Sequence, residues 1–189
     1  MHDLKFPELT TNRLRLECFG PQHSDGIFAL WSSPEVCRYS GEAEDWSGRH
    51  VELPARGVED SDKILDFFIR RAAQGTGVRW AMILRQTDHG GQSGQVIGAV
   101  GLNALAPRVE LAFHLLPDHW GRGYATEACA AVIEWCVGYW PSCAIEAFVD
   151  DDNLASIRLA KRLGFEETSI LRDGAKQYVF ARRETTASA

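Results

Sequence analysis

The stretch Asp118-His119-Trp120-Gly121-Arg122-Gly123-Tyr124-Ala125-Thr126-Glu127-Ala128 decides how this chain is read. An apolar run with strand character, Val109 to Leu116, precedes it and closes at Pro117. A helical pattern, Ala125 to Tyr139, follows it. Gly121 and Gly123 therefore sit where a strand hands over to a helix. Glycine reaches positive φ and lets a ligand approach a backbone that carries no Cβ. The first amides of a helix have no partners inside it and point outward at the positive end of its dipole. Glycines ahead of a helix N-terminus thus make an anion cradle, whose usual guest is a phosphate or pyrophosphate. The same spacing also suits a plain left-handed turn, so the flanking sequence has to decide.

Upstream, Val78 to Arg85 and Gln95 to Leu102 read as strands, with Thr87 to Gly94 as the hairpin turn between them. Asp60 to Gln74 carries Ile64, Leu65, Phe67, Phe68 and Ile69 at helical spacing, with Ser61-Asp62 as its start signal. Ser40 to Glu59 is polar and acidic and reads as a loop with at most short helices. Gln22 to Ser32 is helical, and Pro34 suits a first helical position behind Ser33. Arg13 to Cys18 alternates as a half-buried first strand. Downstream, Ala144 to Val149 is a strand, and Asp152-Asn153 starts a helix, Leu154 to Leu163, that Gly164 ends. Glu166 to Leu171 and Gln177 to Arg183 are strands around the hairpin signal Asp173-Gly174. No linker or internal repeat interrupts the pattern, so residues 1–184 read as one α/β domain and 185–189 as a disordered tail.

The chain has 189 residues, 45% hydrophobic and 24% charged, enough for one full core. A net charge of −6 argues against nucleic acid as a partner and favours cationic ones. With no basic segment followed by an apolar run and no stretch of membrane-spanning length, a cytoplasmic protein with no membrane partner is expected. The five cysteines are an odd number without a CxxC pair, which fits a reduced compartment. Cys129 and Cys136, seven apart on one helix, share a face and read as small core residues.

The whole stretch from strand to Trp-Gly-Arg-Gly-Tyr-Ala-Thr-Glu-Ala resembles the coenzyme motif of the GCN5-related N-acetyltransferases (GNAT). The family's Gln/Arg-x-x-Gly-x-Gly/Ala falls on Trp120, Gly123 and Ala125. Trp120 in place of Gln or Arg is usual in the branch of the ribosomal-protein N-acetyltransferases (RimJ/RimL-like). Thr11-x-Arg13-Leu14-x-Leu16, Ser33-Pro34-Glu35-Val36-x-Arg38-Tyr39 and Ile97-Gly98-x-x-Gly101-Leu102 are similar to further phrases of that branch. The resemblance implies a mixed, mostly antiparallel sheet of about seven strands flanked by about four helices. It implies acetyl-coenzyme A as co-substrate, no metal, and an amine acceptor, either a small molecule or a protein N-terminus. A monomer or a homodimer is equally compatible with it.

It also implies roles for particular residues. The amides of Gly121, Arg122, Gly123, Tyr124, Ala125 and Thr126 would hold the pyrophosphate, with Trp120 beside them. Phe113 and Leu115 would present amides to the thioester carbonyl where the strands splay. Asn153 would bind the pantetheine amides and Ser156 would face the sulfur. Asn153 and Ser156 equally suit a helix cap and a solvated hydroxyl. Arg122 and Lys161 are candidates for the phosphates. Where many members carry a tyrosine that protonates the thiolate, this chain has Ala160.

An ammonium has no lone pair, so an acceptor amine must lose a proton before it attacks. Glu110 is the first candidate base, since it stands at the glutamate of the family's Glu-Ile-Gly-Tyr phrase. On a strand, Glu110, Ala112 and His114 share one face, while Leu111 and Phe113 take the other. His114 is a second candidate through its intrinsic pKa, and Asp173 a weaker third. The carboxylates Glu35, Glu42, Glu44, Asp45, Glu52, Glu59, Asp60 and Asp62 lie among Trp31, Tyr39 and Trp46 and suit a cationic acceptor. The last hairpin, Leu171 to Gln177, is short and offers little wall. An N-acetyltransferase working by direct attack is the leading reading, and a catalytically silent acyl-coenzyme A sensor or scaffold the alternative.

Overall fold

The computed structural model describes residues 6–85, 93–105 and 107–182. The strands are β1 (Leu9–Thr10), β2 (Leu14–Cys18), β3 (Ala43–Glu44), β4 (His50–Val51), β5 (Val78–Leu84), β6 (Val96–Ala104), β7 (Arg108–Leu115), β8 (Ala144–Val149), β9 (Phe165–Arg172) and β10 (Ala175–Phe180). The helices are α1 (Ser24–Trp31), α2 (Pro34–Cys37), α3 (Val58–Ala73), α4 (Tyr124–Tyr139) and α5 (Leu154–Arg162). Eight strands form one sheet in the order β1-β2-β5-β6-β7-β8-β10-β9, and β3 pairs with β4 apart from it. Every pairing is antiparallel except β7 with β8. The main sheet therefore has one strand more than expected, because the two-residue β1 pairs ahead of β2. No helix among the described residues is long and apolar enough to cross a membrane.

Both faces of the sheet are covered. Leu16, Trp80, Val100, Leu111 and Leu115 pack with Ala128, Cys129, Val132 and Cys136 of α4. Ala81, Ile83 and Ala99 pack with Ile27, Leu30 and Trp31 of α1 and with Ile64 and Leu65 of α3. Cys129 and Cys136 are core residues, as their spacing requires, and burial pushes both thiols up to about 12.

Local chemistry explains most element ends. Ser33 caps α2 by accepting from the Val36 amide. Asp173 and Gly174 both take positive φ, 51° and 88°, which is the turn that matches the twist of a two-residue hairpin. α3 starts at Val58 behind Gly57 and not at Ser61-Asp62. Ser61 is buried inside the helix, and Asp62 accepts from the Ser24 hydroxyl at 2.6 Å. The Gln22 to Ser32 segment opens with a 3-10 turn, Pro21–His23, before α1. β6 runs past Leu102 to Ala104 because the pairing with β7 shifts there, leaving Asn103 as the extra residue of a bulge. The Thr87 to Gly94 turn lies mostly outside the described residues, and the expected tail, 185–189, lies wholly outside them.

Candidate active site

The site begins where a sheet stops being a sheet. β7 and β8 pair only at Arg108–Ala144, Val109–Ile145 and Glu110–Glu146. Beyond Glu110 the two strands part, and a groove of about 1130 Å³ opens between them and runs to both faces of the sheet. The Leu116 amide still donates to the Ile97 carbonyl at 2.9 Å. By the alternation of an antiparallel pair, the amides of Phe113 and Leu115 then point the other way, into the opening. The Leu115 carbonyl on that edge accepts from Trp120 Nε1 at 2.7 Å, which ties the strand end to the glycine loop.

The loop after β7 bends at Gly121 (φ 71°) and Gly123 (φ 81°), and α4 starts at Tyr124 with no side chain capping it. Among the described residues, the amides from Gly121 to Thr126 find no protein acceptor. A Cβ on Gly121 would meet nothing within 4 Å, so the loop faces open space. Its position is held from behind. Glu127 on the first turn of α4 accepts from the Arg13 amide at 2.8 Å, Arg13 Nε at 2.7 Å and the Thr11 hydroxyl at 2.6 Å. Arg13 also reaches the Arg122 carbonyl at 2.9 Å and stacks 4.4 Å from the Tyr124 ring centre.

Across the opening, Asn153 caps α5: its Oδ1 accepts from the Ser156 amide at 3.1 Å. That leaves its amide nitrogen to the groove. Ser156 and Ala160 line the same wall, and the Ser156 hydroxyl has no protein partner among the described residues. Arg122 and Lys161 are exposed and do not line the groove, whereas Arg158 and Arg162 do.

The other side of the sheet is made of side chains. Glu110 is 8% exposed. Its Oε1 accepts from Asn103 Nδ2 at 2.8 Å and its Oε2 from Arg172 Nη1 at 2.6 Å. Burial pushes its pKa up, but these two bonds and the charges of Arg172 and Arg79 outweigh burial, and the net shift is downward. Arg79 is 3% exposed and bonds to Asn103 Oδ1. Gly101 makes room for it, since a Cβ there would sit 2.8 Å from Arg79 Cδ. Phe68 covers it from 4.6 Å. Burial, then the charge of Arg71, lowers the Arg79 pKa to about 10, so it stays cationic at neutral pH.

His114 follows Glu110 on the same face, as the strand period requires, and its ring meets Trp31 edge-on at 4.6 Å. Its Nδ1 is sealed off and has no partner among the described residues. Burial, then the charge of Arg79, drops its pKa to about 3, so it is neutral and a poor proton acceptor. Asp173 sits in the hairpin turn and does not line the groove. Of the acidic residues expected around the acceptor, Glu35, Glu42 and Glu44 line the mouth. Asp45, Glu52 and Asp60 are instead paired with Arg49, Arg56 and Lys63. The residues that the sequence did not single out are Asn103, Arg79 and Arg172. Arg172 belongs to the hairpin expected to contribute little wall, yet its side chain lines the groove.

Known proteins share this fold. A family model for the acetyltransferase (GNAT) domain matches residues 13–166. YoaA, an uncharacterized N-acetyltransferase of Bacillus subtilis, is 30% identical over 178 residues, 93% of this chain and 89% of that protein. The p20 protein of Bacillus licheniformis, also an uncharacterized N-acetyltransferase, is 29% identical over 171 residues, 89% of this chain and 87% of that one. An acetyltransferase of Agrobacterium tumefaciens str. C58 has the same fold, with a TM-score of 0.72 at 21% identity over 95% of this chain and 96% of that one. RimL, a ribosomal L7/L12 alpha-N-protein acetyltransferase solved in complex with coenzyme A, gives a TM-score of 0.70 at 15% identity over 92% and 97% of the two chains.

Proposed function

The chain belongs to the GNAT acetyltransferases, and from that premise we propose that it moves the acetyl group of acetyl-coenzyme A to a primary amine by direct attack in one ternary complex. The observation that carries this reading is the opening between β7 and β8, which lies between the glycine loop and Glu110. The residues fit such a coenzyme. Unpartnered amides from Gly121 to Thr126, at the N-terminus of α4, suit a pyrophosphate. Trp120 and the free amide nitrogen of Asn153 flank the path of the pantetheine.

Each polar group then has one task. The amides of Phe113 and Leu115 meet the negative charge that grows on the thioester oxygen, in a geometry set before reaction. Glu110 takes the proton of the acceptor, and His114 serves as neutral wall. Ser156 donates to the departing thiolate in place of the tyrosine that Ala160 replaces. A thiol with pKa near 8.5 is a fair leaving group, so a weak donor or water is enough. The acceptor is an amine drawn by Glu35, Glu42 and Glu44 at the mouth. A protein or peptide N-terminus is preferred over a small amine by resemblance to the branch alone.

A thiol-release screen with acetyl-coenzyme A and N-terminal peptides, polyamines, amino acids and aminoglycosides tests the reading. Turnover with at least one amine class is expected. Tight coenzyme binding without turnover of any amine would leave only the sensor alternative standing.

A further inference from the structure

Arg172 ends β9, directly before the Asp173–Gly174 turn. Its Nη1 donates to Glu110 at 2.6 Å, and its guanidinium carbon lies 3.6 Å from the centre of the Phe148 ring. Glu146 and Asp173 add negative charge around it. Its side chain is nevertheless 48% exposed, and it lines the groove together with Glu110 and Phe148. A carboxylate at one edge of a cation and an aromatic face beneath it are what a protein uses to bind an ammonium or guanidinium ligand. Here the cation is the chain's own. The corner also lies at Glu110, the last residue of β7 that pairs with β8, and so at the mouth of the opening.

We propose that the corner between Glu110 and Phe148 is the docking subsite for the acceptor's ammonium group, and that Arg172 is its resident occupant, displaced by the incoming cation. The proposal rests on the acetyl-transfer reading for its purpose and on the geometry for its location. The exchange is charge-neutral: one cation leaves the carboxylate as another arrives. Glu110 then accepts one proton from the ammonium, which frees the lone pair. A C–N bond forms as the C–S bond breaks. The thiolate receives the second proton lost by the nitrogen, and Glu110 returns the first to solvent. Glu110 holds its Arg172 bond in the resting state, so a substrate without a cationic head cannot open the site. The acceptor class is therefore a protonated, unhindered primary amine.

Binding of n-butylammonium to the full-length chain, followed by ligand-observed NMR, tests this. Arg172→Ala and Arg172→Gln should each lower its dissociation constant at least fivefold. Guanidinium chloride should compete with it in both variants and not in the parent, with sodium chloride at equal ionic strength as control. Adding Glu110→Gln should abolish the gain. Equal affinity in the parent and both variants, or a gain that survives Glu110→Gln, overturns the subsite. The thiol-release screen separates this from the enzyme reading. Amine turnover without the binding gain removes the subsite and keeps the transferase, and the gain without turnover does the reverse.

Discussion

On the α4 side of the sheet the groove presents amides; on the α1 and α3 side it presents carboxylate, guanidinium, imidazole and indole groups. Polar side chains near the glycine loop are spent on the backbone. Arg13 and Glu127 clamp the loop, Asn153 caps α5 and Trp120 bonds the end of β7. His119, whose Nδ1 has no partner among the described residues, is an exception there. On the α1 and α3 side, Trp31 Nε1, Arg79 Nε and Nη1 and His114 Nδ1 are all sealed with no partner among the described residues. Leaving a buried polar group unpaired costs about 1–3 kcal/mol, more for a charged one. The α1 and α3 side thus carries a cost that the α4 side mostly avoids, as a side-chain-built binding site would before its ligand arrives.

Four experiments break or sharpen that contrast. Glu110→Gln should have the largest effect: kcat falls roughly a hundredfold, about 2.7 kcal/mol, while coenzyme affinity stays unchanged. An unchanged kcat would move the proton transfer elsewhere. His114 comes next. Its folded pKa of about 3 lies below the ordinary 6.5, so between these values the unfolded chain binds the extra proton and stability falls as pH falls. From pH 6.5 to 4 the parent should lose about 3 kcal/mol more than His114→Leu in denaturant titrations. Parallel pH curves would mean that the ring is solvated.

In the glycine loop, Gly123→Val places a branched residue at φ 81° and crowds the Arg13 guanidinium, 3.3 Å from the new Cβ, that holds the loop in place. Acetyl-coenzyme A affinity should fall at least tenfold, about 1.4 kcal/mol, by calorimetry. Retained affinity in a folded variant would show that the loop amides are not the binding element. Asn153→Ala should be the mildest, removing a helix cap for about 1 kcal/mol of stability. A loss of coenzyme affinity larger than that loss of stability would mean that its side chain binds ligand directly.

The same contrast governed what the sequence could tell. Gly121, Gly123 and Gly164 announce positive φ through their residue type, and Asp173-Gly174 announces its turn. Period-two alternation put Glu110 and His114 on one face without any structure. What stayed hidden depends on partners far along the chain. Arg172 meets Glu110 across 62 positions and Arg79 meets Asn103 across 24. The bulge that frees Asn103 leaves no local mark, because Ala104 and Asn103 suit a regular strand or a turn equally well. Ser61-Asp62 misled for a related reason: both residue types cap helices, but Gly57 was in place first and α3 was already one turn old.

The parting of β7 and β8 has a consequence for heredity. A gap formed by where pairing stops belongs to no single codon. Substitutions of Phe113 or Leu115 other than to proline change the side chain and leave the amide, so most point mutations spare the donors proposed for the thioester carbonyl. Arg172, Arg79 and Asn103 are single codons, each one step from another residue. Descendants of such a chain should therefore keep their acyl donor by default and exchange acceptors readily, since only the second half of the groove is open to revision one residue at a time.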